Sequence, residues 1–180
     1  APSLAERIDL MAYRRNRKSY ENTANYLFVV LGRRGPYDAY LALKKALNSQ
    51  LDGDRFALVH AQVTILSEMR DFLAAEALLS AQQLPQEKAW YYSLWASLYE
   101  LQDKTDLAVE MLHKGLGLFP NEPRLEWALG RLLAFLSNFD ESLCHLSRAS
   151  NETQSDWFAL RYAGLLNEMG HYDKALRAID

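Results

Sequence analysis

The chain has 180 residues, of which 49% are hydrophobic and 24% are charged, and its formal net charge at pH 7 is −3. This balance is typical of a globular chain and excludes a disordered segment or a collagen-like repeat, and the single cysteine excludes a disulfide scaffold. The acidic excess also argues against a nucleic-acid binder held by bulk charge, and no apolar run is long enough to span a membrane.

Charge is unevenly distributed along the chain. Residues 1–50 carry nine lysines and arginines against four acidic residues, whereas residues 51–180 carry eleven against nineteen. We interpret the basic cluster as a solvated helix face. The alternative is a contact with an acidic surface, such as a neighbouring domain or the acidic half of another copy. The cluster contains Arg14, Arg15, Arg17, Lys18, Arg33, Arg34, Lys44 and Lys45.

Residues 1–55 are predicted to form N-terminal helices with one divergent repeat-like unit. Gly35, Tyr37 and Leu47 indicate this unit, and we place Tyr40 at the position that holds a small residue in the later units.

From residue 56 onward the sequence repeats itself with a period of 33 or 34 residues. A small residue recurs in each unit and is followed four positions later by a large aliphatic residue. The small set is Ala75, Ala108, Ser142 and Ala175, and the large set is Leu79, Leu112, Leu146 and Ile179. We predict units near 56–88, 89–122 and 123–155, with a truncated unit at 156–180.

Each unit contains two stretches with apolar residues three and four positions apart, the spacing of an amphipathic helix. Prolines such as Pro120 and Pro123 separate the units, because proline cannot continue a helix. The small residues allow two antiparallel helices to approach closely. No stretch shows the alternation of a strand, so we predict an all-α fold without a sheet.

The repeat resembles the tetratricopeptide repeat, a helix–turn–helix unit of 34 residues. The unit 89–122 carries the resemblance best, through Trp95-Ala96, Tyr99, Ala108, Leu112, Gly115 and Pro120. The resemblance implies a right-handed α-solenoid of stacked two-helix units. It also implies a concave groove, lined by the first helix of each unit, which binds a peptide or another protein.

The groove positions of the family, carried over to this sequence, give the candidate partner-binding residues. They are Trp127, Arg131, Arg124, Trp90, Trp157, Glu100, His60 and Asn167. Tryptophan and arginine dominate binding hot spots, and we also consider a carboxylate-bearing ligand held by Arg124, Arg131 and Arg161. The alternative is that each tryptophan packs against the preceding unit and seals the stack, while Trp95 belongs to the core.

The sequence predicts no catalytic residue, no metal site and no cofactor. The histidines do not recur at ligand spacing, and neither His-Glu-x-x-His nor Cys-x-x-Cys occurs. Cys144 and His145 are adjacent and would point about 100° apart on a helix, so they do not form a nucleophile–base pair.

A second resemblance concerns the leading segment, with Ser3-Leu4-Ala5-Glu6-Arg7-Ile8, Arg17, Ala24-Asn25-Tyr26-Leu27 and Arg33. It is similar to the link between the catalytic and repeat domains of bacterial envelope zinc metalloproteases. This implies an alternative function, a docking domain for substrates or partners of such an enzyme, and favours the bacterial periplasm over the cytoplasm. Because the helical pattern stops at Asp180, we also expect a truncated last unit whose open end self-associates.

Overall fold

The computed structural model describes residues 3–53, 55–81, 88–152 and 156–178. Helices joined by turns account for these residues, apart from an isolated bridge between Ser19 and Asp52, so the all-α prediction is confirmed. Among them, no helix is long and apolar enough to cross a membrane. The chain divides into two compact units, Ala1–Gln83 and Leu84–Asp180.

The first unit contains helices α1 to α5. Their bounds are α1 Leu4–Arg15, α2 Tyr20–Arg34, α3 Pro36–Leu47, α4 Arg55–Glu68 and α5 Phe72–Ser80. Its core forms where α2, α3 and α4 bury their apolar faces together, including Leu27, Leu43 and Ile65. Ser3 caps α1 in a capping box with Glu6, which satisfies two backbone donors at the start of the helix.

The assignment of Tyr40 to the small position is wrong. Ala39 is fully buried in the core and Leu43 follows it four residues later, so Ala39 takes the small position. The reason is a shorter turn: Gly35, with φ of +86°, caps α3 directly and Pro36 is already the first helical residue.

The second unit contains helices α6 to α11. Their bounds are α6 Ala89–Glu100, α7 Thr105–Leu118, α8 Pro123–Phe135, α9 Phe139–Glu152, α10 Asp156–Glu168 and α11 Tyr172–Arg177. Trp95 is buried in α6, as predicted. Pro123, one of the prolines that separate the predicted units, is the first residue of α8.

The same turn joins α4 to α5, α6 to α7, α8 to α9 and α10 to α11. In each turn the left-handed residue donates its N–H to the carbonyl three residues earlier at 3.0 Å, and the next residue donates to the carbonyl five residues earlier at 2.8–2.9 Å. This is the Schellman motif. The left-handed residues are Arg70, Asp103, Ser137 and Gly170. Their spacing of 33, 34 and 33 residues repeats that of the small positions, so the backbone confirms the predicted repeat.

The small residues of the second helices are buried where the paired helices meet. Ala75, Ala108 and Ser142 are fully buried, and Ala175 is 7% exposed. Ile179, predicted as the last large position, lies outside the described residues. At the contact of α8 and α9 both helices contribute a small residue, Gly130 and Ser142. The Ser142 hydroxyl donates a 2.6 Å hydrogen bond to the Gly130 carbonyl.

Candidate functional site

One face of α8 collects three of the predicted partner-binding residues. Arg124, Trp127 and Arg131 follow each other at intervals of three and four residues, so they lie along one strip of the helix. Pro123 starts α8 and fixes where this strip begins. Trp127 is half-buried, whereas Arg124 and Arg131 are exposed.

Arg131 is held in place by two neighbours. Its Nη2 donates to both carboxylate oxygens of Glu100 on α6, at 2.8 and 2.6 Å, and its Cζ lies 5.5 Å from the centroid of the Trp127 ring. Three predicted residues are therefore brought into direct contact. Because Glu100 already neutralises Arg131, a ligand carboxylate would have to displace Glu100 to reach this guanidinium.

A pocket of about 260 Å³ opens beside this strip, between α8 and α10. Leu146 of α9 and Leu165 of α10 contribute apolar surface, and the helix backbone is accessible at Gly164. Its lining comprises Trp127, Arg131, Ala134, Leu146, Leu160, Arg161, Gly164, Leu165 and Glu168. α8 and α10 are the first helices of consecutive repeats, the type of helix from which the candidate partner-binding residues were taken.

Of the other predicted residues, Trp90, Asn167 and His60 are not among the lining residues of this pocket. Trp90 is half-buried in the first turn of α6, and Asn167 is exposed on α10. Trp157 lies in the first turn of α10, and its side chain is outside the described part of the structure. His60 belongs to α4 in the first unit, where its ring packs edge-on against Phe28 with centroids 5.3 Å apart.

A buried polar pair that the sequence did not predict lies between α8 and α9. Glu126 and His145 are 3% and 7% exposed, and Glu126 Oε2 lies 2.5 Å from His145 Nδ1. Arg148 approaches the other oxygen of Glu126 at 3.8 Å. A signal was present in the pattern, because each residue stands at helical spacing from a buried apolar residue: Glu126 is three residues before Leu129, and His145 is four residues before Ala149.

No group of three or more histidine, cysteine, aspartate or glutamate side chains that could hold a metal ion occurs in the described ranges. The His113 and His145 rings lie 6.5 Å apart, but the nearest carboxylate, that of Glu126, is engaged by His145.

Comparison with solved structures identifies the fold. PilF of Pseudomonas aeruginosa is similar, with a TM-score of 0.60 and 18% identity over 97% of this chain and 86% of that one. MamA (residues 41 to the end) from Desulfovibrio magneticus RS-1 has a TM-score of 0.55 and 13% identity over 99% and 93%. YrrB, a TPR protein with an unusual peptide-binding site, has a TM-score of 0.51 and 14% identity over 97% and 90%.

No protein-family model matches the sequence, and no curated protein does. At these identities the structural likeness establishes the fold. The chain has the tetratricopeptide-repeat fold, an all-α solenoid of two-helix units, as the sequence pattern predicts.

Proposed function

We propose that this chain is a protein-interaction scaffold that binds a peptide or protein segment along the face of α8 and α10. The observation that carries the proposal is the pocket beside Trp127 and Arg131. Its volume of about 260 Å³ lies below the ~300–1,000 Å³ of small-molecule sites, so it suits a single large side chain better than a metabolite.

The residue types beside the pocket support the same proposal. Trp127 offers a half-buried indole, and Arg131 is ordered by Glu100 before any ligand arrives. A pre-ordered side chain loses little conformational entropy on binding, so more of its contact energy remains as affinity. The proposed function requires no catalytic group, metal or cofactor, and its partner is another protein.

The test is a pull-down from a lysate of the source organism with three baits: the wild type, Trp127→Ala/Arg131→Ala, and the control Lys114→Ala. Lys114 is exposed on α7 and does not line the pocket. We expect a partner that the wild type and the control recover and the double variant loses. Recovery of the same proteins by all three baits would contradict the proposal. A thermal melt of each bait establishes that it is folded.

The docking-domain alternative for a zinc metalloprotease remains a prediction from the resemblance of the leading segment. The reading frame of the gene tests it: a His-Glu-x-x-His motif encoded upstream supports this function, and a frame without that motif removes it.

Self-association through the C-terminal end also remains a prediction. On α11, Tyr172 and Leu176 are four residues apart and 64% and 66% exposed, which supports an apolar contact. Sedimentation velocity should then show a dimer that Tyr172→Ser/Leu176→Ser dissociates, and a wild-type monomer at all concentrations would contradict it.

A further inference from the structure

Gly164 stands in the middle of α10 without a packing reason. A Cβ at Gly115 would lie 2.8 Å from Tyr92 Cβ, and one at Gly130 would lie 2.7 Å from Leu146 Cγ, so close packing accounts for both glycines. A Cβ at Gly164 would meet no described atom within 4 Å. A glycine inside a helix costs roughly 0.5–1 kcal/mol relative to alanine, and at Gly164 no close approach of a described residue accounts for the glycine.

What Gly164 does provide is access to the pocket. It is one of the lining residues, opposite Trp127 and Arg131 of α8, and its missing side chain leaves the backbone of α10 open to a ligand. We call the space between Trp127 and Gly164 the notch. A flat side chain placed there can contact the helix backbone on one side and the indole on the other.

The charges around the notch favour an uncharged flat group within it. Arg131 is neutralised by Glu100, and the lining also contains both Arg161 and Glu168. An aromatic ring fits the lining residues best. It can pack on Trp127 and on the apolar surface of Leu146, and the guanidinium groups of the lining arginines can stack on its face.

Within the strip Arg124, Trp127 and Arg131 on α8, Arg124 can supply a positive charge to a ligand. Arg124 is exposed and forms no ion pair with any residue that the structure describes. The α8 residues that line the pocket, Trp127, Arg131 and Ala134, are centred on Arg131. At ~1.5 Å per helical residue, this centre lies about 10 Å along α8 from Arg124, a distance that about three residues of an extended chain cover. A carboxylate at that spacing from the aromatic ring would reach Arg124.

We propose that the notch binds one aromatic side chain of an extended segment of a partner protein, and that an aspartate or glutamate about three residues away pairs with Arg124. This inference rests on the proposed function and specifies the chemistry of its ligand. Gly164 is then a specificity-determining residue, since any side chain at this position narrows the notch.

A random peptide library displayed on phage tests this proposal, with selection on the wild type. Binding of the selected peptides is then measured on Gly164→Ala, the matched control Gly117→Ala and Arg124→Gln. Gly117 is also an exposed helical glycine whose Cβ would meet no described atom. We expect enrichment of an aromatic residue with an acidic residue about three positions away.

Gly164→Ala should weaken binding of these peptides about tenfold or more, because its methyl group occupies the notch. Arg124→Gln should weaken it a few-fold and reduce its dependence on salt. Gly117→Ala should bind as the wild type does. The melting temperature of Gly164→Ala should be unchanged or higher, so a loss of binding cannot come from unfolding.

The outcomes separate the inference from the proposed function. If the library yields peptides that bind Gly164→Ala as tightly as the wild type, the notch proposal is wrong and the binding scaffold stands. Selected peptides without an aromatic residue would overturn the proposal in the same way. If no peptide is enriched over a selection without protein, the peptide-binding face itself is contradicted.

Discussion

Gly130 allows the main chains of α8 and α9 to approach closely. Any larger residue would place its Cβ 2.7 Å from Leu146 Cγ and 3.1 Å from the Ser142 carbonyl oxygen. We therefore expect Gly130→Ala to destabilise the protein by about 1–3 kcal/mol, because the helices must separate or Leu146 must leave its rotamer. Urea unfolding measures this, with Gly117→Ala as the control. An equal midpoint for both variants would contradict the expectation.

The Glu126–His145 pair makes a second prediction at the residue scale. Both side chains are buried, so His145→Ala would leave the Glu126 carboxylate without its main partner. We expect a loss of about 3 kcal/mol in the free energy of unfolding. The double variant Glu126→Leu/His145→Leu should recover most of this loss, since it removes the buried charge as well. The cycle formed by Glu126→Leu, His145→Leu and this double variant gives the coupling energy, and a coupling near zero would show that the two residues act independently.

Among these residues, the sequence predicted only the positions at which the size of the side chain determines the packing. The spacing of the repeat identified Ala108 and Ser142 as small positions, and both are fully buried. It missed the Glu126–His145 pair because the register that brings the two side chains together depends on how α8 packs on α9. Likewise, the sequence predicted Glu100 and Arg131 as separate ligand contacts, and their contact with each other appears only when α6 lies beside α8.

At the scale of the element, the Schellman turn ends the first helix of each pair. Gly170 is the only one of its four left-handed residues that is a glycine; the other three carry a side chain that makes this conformation unfavourable. This is why the sequence did not mark the turn by glycine. The recurring apolar spacing predicted where it falls, and the backbone conformation follows from the need to reverse the chain.

Ser137→Gly should stabilise the turn between α8 and α9. Ser137 has φ of 63°, and glycine reaches this conformation without a Cβ penalty. We expect a gain of about 0.5–1 kcal/mol after the larger chain entropy of glycine in the unfolded state is taken into account. Thermal melting measures the gain, and Gly170→Ala should shift the melting temperature in the opposite direction.

Helix α1 is attached to α2 partly through an ion pair that depends on pH. Hydrogen bonding from Arg33, and then from the Ser3 backbone, lowers the pKa of Glu6 from 4.5 to about 2. Because the pKa is lowered in the folded state, this contribution to stability is fully present above about pH 4.5 and is lost as the pH falls towards 2. The rings of Tyr13 and Tyr26 stack with their centroids 4.1 Å apart, so this contact should keep α1 near α2 after the ion pair is lost.

An NMR titration of the Glu6 carboxyl carbon checks this prediction. Arg33→Gln should raise the pKa of Glu6 towards its ordinary value, since it removes the largest cause of the shift. Arg34→Gln, a change at the neighbouring exposed arginine, serves as the control and should leave the Glu6 titration unchanged. The same Glu6 pKa in all three proteins would refute the assigned cause.

On the scale of the whole molecule, the two units have separate cores. One is built around Leu27, Leu43 and Ile65, and the other around Leu112 and Leu129. In a repeat architecture each element is stabilised by its neighbours. We therefore expect Gly130→Ala to accelerate amide hydrogen exchange in α8 and α9 while the amides of α2 and α4 keep their rates. Uniform acceleration throughout the chain would contradict this.

The fold of residues 56–178 was largely predictable because each repeat samples the same pattern again, so a weak periodicity becomes a strong one. The unit at 20–50 was less predictable, because its turn is one residue shorter and this moves the small position from Tyr40 to Ala39. Of the candidate site, the strip on α8 followed from helical spacing. The exposed backbone at Gly164 could not be predicted, because a sequence does not distinguish a glycine that close packing requires from one that leaves space beside a helix.

The recurring left-handed turn also determines where the chain can gain or lose residues during evolution. In the repeats that contain Asp103, Ser137 and Gly170, the small residue of the first helix stands seven positions before the turn residue and that of the second helix five after it. Insertion of one residue between these two small positions would shift the second helix by about 100° and turn its buried face outward. The one longer period falls between Leu112 and Gly130, a stretch that contains the joint 119–122. Repeats that share this turn therefore tolerate insertions at the joints between them, and a change of length within the turn requires a different turn, as at Gly35 between α2 and α3.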